Sequence, residues 1–351
     1  MNYKNLLIVF FLILLLISCS KENNEPEILN DNSTLTLYKA PMNLKFQVVG
    51  YFPSYRDLNL IPDSKLKMMD VVIYAFASIN ESLMPVIDHP EKLQALVLRC
   101  KSIGVKVLLS FNGPHSYFVT MTSQKTYRDR FVNALMELVR QYNLDGIDND
   151  WEFPKISDGS SLGNAFLMKQ LSDFCHKNQK YLLTMAVSPG LYEDMSNGIV
   201  SDVFNDVDWF NVMIYDNFST TQPYIQHSTY SMLLSSFNYW ITNRNLSRTK
   251  FVTGLPLYGR PSGISQTGNT LAYNVILNKN GNALLDSATV TTTSHPDPFT
   301  IYYNGINTIQ KKVNYSISNG LGGVMFWEIS MDTNDNNSLI KTVNDVIGRL
   351  Y

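Results

Sequence analysis

The sequence predicts an α/β protein, a (β/α)8 TIM barrel in one domain, and three observations carry that expectation. Past residue 45, eight short runs of β-branched and aromatic residues alternate with longer stretches of helical period, the order that βαβ units and a parallel sheet require. A barrel of eight such units needs roughly 250 residues, and the 351 available also leave room for an N-terminal extension. The fourth run ends in a file of carboxylates, and barrels of this kind carry their chemistry at the C-terminal ends of their strands.

In chain order the candidate strands are Phe46–Tyr51, Val71–Ala77, Lys106–Phe111, Gly146–Glu152, Leu182–Val187, Trp209–Tyr215, Phe251–Leu257 and Gly323–Trp327. Each is a short apolar run bounded by turn or polar residues, as a strand covered on both faces should be. The clearest helices between them are Glu91–Ser102, Thr126–Tyr142 and Phe166–His176, and Leu339–Leu350 closes the pattern. In the second helix Phe131, Leu135, Leu138, Val139 and Tyr142 recur at three- and four-residue spacing, giving one apolar face to lay on a sheet. Only the stretch from Gly259 to Phe299, rich in Gly, Ser, Thr and Asn, is too long for an ordinary loop. It predicts a modest hairpin.

The N-terminus reads differently. Lys4 precedes an aliphatic and aromatic run from Leu6 to Ile17, the layout of a secretory leader and short of the roughly 20 residues that span a bilayer. The run ends in Leu16-Ile17-Ser18-Cys19, which resembles a bacterial lipoprotein box. The resemblance implies a signal peptide over residues 1–18 and a lipidated Cys19. A polar segment follows with the composition of a tether over 19–44, ahead of a barrel over 45–351. Ser20 and Lys21 lack the aspartate that retains such proteins at an inner membrane, which implies an outer-membrane home, periplasmic or surface-facing. The remaining cysteines, Cys100 and Cys175, are expected as buried thiols. With 28 Lys and Arg against 30 Asp and Glu and no basic run, the chain has no electrostatic footprint for nucleic acid.

The acidic run is the most informative segment. Side chains alternate across a strand, so Asp148, Asp150 and Glu152 share one face, the barrel interior, while Ile147, Asn149 and Trp151 share the other. Three carboxylates in file cannot all ionise cheaply in a partly buried site, so they are expected to retain a proton. Glu152, last before Pro154, stands nearest the mouth, where a general acid would meet a substrate. Asp145, at the strand's entrance, is expected to be structural. No histidine accompanies the cluster, and neither metal nor cofactor is expected.

Leu144-Asp-Gly-Ile-Asp-Asn-Asp-Trp-Glu-Phe-Pro154 resembles the DGxDxDWEYP signature of glycoside hydrolase family 18, whose members are chitinase-like. The other strands carry the resemblance too. They do so in Gly50-Tyr51-Phe-Pro, Tyr74-Ala-Phe76, Ser110-Phe-Asn-Gly113, Met185-Ala-Val-Ser-Pro, Met213-Ile-Tyr215-Asp216, Gly254-Leu-Pro-Leu-Tyr258-Gly-Arg260 and Met325-Phe-Trp327-Glu. In this family the substrate supplies its own nucleophile. The resemblance therefore implies Glu152 as acid and base, Asp150 orienting the acetamide of the −1 sugar and sharing a proton with Asp148, and Tyr215 donating to the acetamide oxygen. It further implies a floor at Trp327 with Tyr51, Phe76 and Met213 as its wall, and Asp216, Tyr258 and Arg260 holding the sugar hydroxyls or the next residue.

The sequence departs from the family pattern at Asn149, where an aliphatic residue is usual, at Asn112 in the SxGG motif, and at Phe153 in place of tyrosine. Asn149 must find a partner in the helix layer. The segment after Arg260 is short for a full insertion domain, which implies an open cleft. The expected function is hydrolysis of β-1,4 bonds in chitin oligosaccharides or related N-acetylglucosamine glycans. The alternatives are an endo-β-N-acetylglucosaminidase acting on the core of N-glycans and a silent glycan-binding protein of the same fold. The partners implied are an N-acetylglucosamine oligo- or polysaccharide and a membrane through the N-terminal lipid only, for a monomer.

Overall fold

The computed structural model describes residues 46–177, 181–263 and 269–351. The expected leader, tether and Cys19 lie outside the described residues. Eight strands, β1 (Gln47–Pro53), β2 (Val71–Ile79), β3 (Lys106–Asn112), β4 (Gly146–Asn149), β5 (Leu182–Val187), β6 (Trp209–Val212), β7 (Phe251–Pro256) and β8 (Gly323–Trp327), pair in parallel, each with the next. Gln47 of β1 pairs with Gly323 of β8, and that register closes the (β/α)8 barrel. A short strand, Pro85–Ile87, adds antiparallel to the end of β2.

Alternation along the strands builds two apolar layers. Val49, Ile73, Leu108, Leu182, Trp209, Val252 and Met325 fill the barrel interior. Val48, Val72, Val107, Leu109, Ile147 and Leu183 point outward into the larger core beneath the helices. The helix Lys125–Gln141 covers that layer with Phe131, Val132, Leu135, Met136 and Val139, while Leu138 and Tyr142 sit at the margin of the buried face. The helix Ser160–His176 begins six residues earlier than its apolar pattern suggests, where Ser160 Oγ accepts from Lys155 N at 2.8 Å. The last helix stops at Val346. Two crossovers carry little helix. A 3-10 turn, Leu58–Leu60, and the single helical turn Asp63–Leu66 separate β1 from β2, and two short pieces, Glu193–Asn197 and Val203–Asp206, separate β5 from β6.

An aspartate precedes each of β2, β4 and β6 at the sheet's N-terminal edge. Asp70 accepts from Val48 N, Asp145 from Val107 N and Asp208 from Leu183 N, each at 2.8 Å. Each carboxylate satisfies a backbone N–H where the strand ladder begins.

The long connection exceeds the expected hairpin. Ser287–Val290 and Phe299–Tyr302 form one, but Phe299–Tyr302 also pairs with Tyr258–Pro261, which in turn pairs with Leu271–Ala272. Val290, Phe299 and Ile301 together with Ile276 from the helix Tyr273–Asn278 join the main core, so this sheet is not a separate domain. Cys100 and Cys175 are free and buried, and burial pushes the Cys100 thiol up to about 12.

Candidate active site

The ladder of β4 ends at Asn149, three residues short of the expected strand end. Asp150 N still donates to Phe111 O at 3.0 Å, after which the chain leaves the sheet and enters the barrel mouth. The alternation survives the departure. Trp151 is fully buried on the outer side, stacked on Phe118 at 4.6 Å, with its indole Nε1 donating to His115 Nδ1 at 3.0 Å. Asn149 finds its helix-layer partners. Its Nδ2 donates to Asn164 Oδ1 at 3.1 Å and its Oδ1 accepts from Trp151 N at 3.1 Å.

Asp148 lies at the bottom of the acidic file, in register with Ser110 on β3 and Thr184 on β5. Its carboxylate accepts from Tyr51 Oη (2.8 Å), Ser110 Oγ (2.7 Å), Thr184 Oγ1 (2.5 Å) and Asn211 Nδ2 (3.2 Å). Burial raises its proton affinity, and these four donors oppose the rise.

Asp150, the next carboxyl up, is hydrogen-bonded to Glu152, and its Oδ1 is buried with no partner among the described residues. Burial, then the charges of Glu152 and Asp148, push its affinity well above the usual carboxylate range. In place of the expected proton shared between Asp148 and Asp150, Asp150 turns to Glu152. The physical reason is that Asp148 is already saturated by donors from four other residues.

Glu152 is open to solvent along the cleft, yet the protein crowding its carboxyl removes much of its hydration. That desolvation, with the Asp216 charge, raises Glu152, while the hydrogen bond from Asp150 works the other way. Three carboxyls with raised affinities keep at least one proton among them into the mildly acidic range.

A cleft opens at the C-terminal strand ends. Tyr51, Asp150, Glu152, Ala186, Met213, Tyr215, Asp216, Met325 and Trp327 line it. Trp327 lies 5.4 Å from the Tyr51 ring and is stacked on Phe76 at 6.0 Å. Among the described residues the Tyr215 hydroxyl has one weak contact, Met325 Sδ at 3.9 Å. Burial, then the charges of Asp150 and Asp216, push Tyr215 far above its usual range, so it stays a neutral donor.

Asp216 adopts a left-handed backbone, φ 65°, which aspartate tolerates better than most residues. It accepts from Tyr258 Oη at 2.6 Å and from Arg260 Nε and Nη2 at 2.5 and 2.9 Å. Against the upward push of burial, the neighbouring His227, Arg260 and Tyr258, the last two by direct hydrogen bonds, hold it well below the usual range and ionised. The donors of Tyr258 and Arg260 are thus directed at Asp216, where sugar hydroxyls were expected to receive them.

The predicted site residues therefore converge at one strand-end mouth, except Cys19, which lies outside the described residues. Sequence reasoning missed Ser110, Thr184 and Asn211 around Asp148, Ala186 and Met325 on the cavity wall, and His227 behind Asp216. A signal existed for three of them. Ser110, Thr184 and Asn211 are polar residues at inward-facing positions of otherwise apolar strands.

The probable chitinase 10 of Drosophila melanogaster is 23% identical over 405 residues, matching 94% of this chain, which spans only 17% of that protein's length. A chitinase from Bacteroides thetaiotaomicron has the same fold, with a TM-score of 0.74 at 24% identity over 88% of this chain and 99% of that one. So does human YKL-39, described as a pseudo-chitinase that retains chitooligosaccharide binding, with a TM-score of 0.70 at 22% identity over 87% of this chain and 100% of that one. Residues 47–332 match the model of glycosyl hydrolases family 18, and the chain belongs to that family of glycoside hydrolases.

Proposed function

We propose that this chain is a retaining glycosidase that cuts β-1,4 bonds in N-acetylglucosamine glycans, with chitin oligosaccharides as its substrate, and that the substrate's acetamide is the nucleophile. One observation carries the reading. On the wall beside Glu152, among the described residues, the buried Asp150 Oδ1 is an acceptor without a partner, and the Tyr215 hydroxyl is a donor with only a sulfur for company. An acetamide offers the complementary pair, an N–H for Asp150 and a carbonyl oxygen for Tyr215.

Glu152 gives its proton to the glycosidic oxygen as the bond from the anomeric carbon breaks, and the leaving sugar departs as an alcohol. The acetamide oxygen, aligned by Asp150 and Tyr215, attacks the anomeric carbon from the opposite face and forms an oxazolinium ion. Water then opens that ring while Glu152 takes back a proton, and the product keeps the β configuration. Asp150, neutral and bonded to Glu152, passes orientation from acid to acetamide. Asp216, held ionised, sustains the raised affinity that lets Glu152 act as an acid. Trp327 supplies the apolar floor for the sugar ring.

The chitinases among the relatives support the substrate class, and YKL-39 supplies the contrasting case of binding without turnover. Glu152 in the cavity favours turnover. The test is to incubate the protein and a Glu152→Gln variant with N-acetylglucosamine oligomers and with a high-mannose glycoprotein, reading products by mass spectrometry. The reading predicts short oligomer products from the parent and a loss of about 10²–10⁴-fold in rate for the variant. Deglycosylation of the glycoprotein alone, or binding without products, would refute it.

The lipoprotein-like start supports a second element of the reading, an enzyme anchored to the outer membrane through lipid on Cys19. Among the described residues no helix is long and apolar enough to cross a membrane. A fatty-acid label should enter the full-length chain and not a Cys19→Ser variant; equal labelling would reject the anchor.

A further inference from the structure

Linked to Asp216 through Ser228 and His227 is a buried lysine that the reaction itself does not use. Lys312, on the helix Ile306–Ser318, is fully buried. Its Nζ donates to Ser228 O at 2.8 Å, Ser228 Oγ at 2.7 Å and Asn304 Oδ1 at 2.7 Å. Three acceptors match the three N–H groups of an ammonium, and none is a carboxylate. An ammonium buried among neutral acceptors is costly, and burial pushes Lys312 down to about 7. An apolar residue at this helix position would carry no such cost, so what Nζ holds becomes the question.

It holds the turn that supports Asp216. Ser228 Oγ donates to Ile214 O at 2.6 Å, next to Tyr215, and Asn304 Nδ2 adds a bond to Ser228 O at 2.8 Å. The preceding residue, His227, is fully buried. His227 O accepts from Asn217 N at 3.0 Å, and His227 Nδ1 lies 3.2 Å from Asp216 N and 3.5 Å from Asp216 Oδ1. His227 thus accepts from the N–H groups of both Asp216 and Asn217 and brackets the left-handed backbone of Asp216, a conformation that persists in a non-glycine residue only when its surroundings hold it.

We propose that Lys312 is a positioning residue for the reaction: through Ser228 and His227 it holds the Asp216 backbone in its left-handed conformation and so fixes where the Asp216 carboxylate stands beside Glu152. The inference rests on the reading of Asp216 given above. It also gives the sheet inserted after β7 a task, because Asn304, at the end of that excursion, is one of the three acceptors that seat the ammonium.

The test is a double-mutant cycle on kcat with the N-acetylglucosamine tetramer, using Lys312→Met and Asp216→Asn singly and together, well below every variant's melting midpoint. Lys312→Met should lower kcat roughly tenfold in the parent, the scale expected when a site group is misplaced by a fraction of an ångström. In the Asp216→Asn background it should cost less than about twofold, because the carboxylate it positions is gone. Ser228→Ala, which removes only the Oγ contacts, should show the same pattern at smaller size and serves if Lys312→Met does not fold. Equal losses in both backgrounds, or no loss in either, overturn the proposal while an impaired Asp216→Asn enzyme leaves the reading of Asp216 intact. An Asp216→Asn enzyme with unchanged kcat and pH profile overturns that reading and the proposal with it.

Discussion

Glu152 and Asp216 face one cavity with opposite electrostatic states, and the difference comes from what each touches. Burial strips water from Glu152, the negative charge of Asp216 adds to the rise, and only Asp150 opposes it. Asp216 is also desolvated, but His227, Arg260 and Tyr258 hold it ionised. The pH dependence follows with a definite sign. A general acid must carry its proton when the substrate is bound, so kcat falls as pH rises through the Glu152 value, and a raised value keeps the enzyme active to higher pH. Asp216→Asn removes one upward push on Glu152, so the alkaline limb of kcat should move to lower pH. Measuring kcat against pH for parent and variant checks this; a limb that stays in place or moves up contradicts the assigned coupling. Parity and motif made the acidic file legible in the sequence at this scale. The pairing of Asp150 with Glu152 was not legible, because it depends on Ser110, Thr184, Asn211 and Tyr51 saturating Asp148 from four different strands. Such a ring exists only once strand register is fixed.

The elements show where sequence patterns carry position and where they do not. Seven of the eight barrel strands appear as mainly apolar runs in the sequence and the fourth as the acidic file, and Leu182–Val187 and Gly323–Trp327 keep their predicted ends. The runs Gly146–Glu152 and Trp209–Tyr215 stop short at Asn149 and Val212, where the chain leaves the sheet although its neighbours continue, β5 to Val187 and β7 to Pro256. Apolar character continues there for the cavity wall, at Met213 and Tyr215, rather than for a ladder. The sheet after β7 was underestimated because its pairing with Tyr258–Pro261 is non-local. At the opposite strand ends, Asp145 is placed for stability, accepting from Val107 N at 2.8 Å. Asp145→Ala leaves that buried N–H unpaired and should lower unfolding free energy by about 1–3 kcal/mol. Urea unfolding checks the loss, and kcat measured well below the midpoint should be unchanged. A fall in kcat without a fall in stability would show that the two ends are not independent.

The whole molecule divides its labour between those ends. Asp70, Asp145 and Asp208 tie adjacent strands at the N-terminal edge of the barrel, and the side chains assigned to chemistry gather at the C-terminal mouth, as the barrel fold requires. Closure of β8 on β1 brings Trp327 within 5.4 Å of Tyr51, although the two are far apart in sequence. The family resemblance alone linked them in the sequence; neither periodicity nor spacing could. In the completed mouth, among the described residues, Glu152 stands beside the unpartnered Asp150 Oδ1 and the weakly engaged Tyr215 hydroxyl, while Asp148 is saturated by four donors and Asp216 is bound by Tyr258 and Arg260. The central claim is that the substrate brings the missing nucleophile. The most direct measurement compares hydrolysis of the N-acetylglucosamine tetramer with that of the fully de-N-acetylated tetramer at equal concentration. The account predicts rapid cleavage of the first and none detectable of the second; comparable rates on both would contradict it.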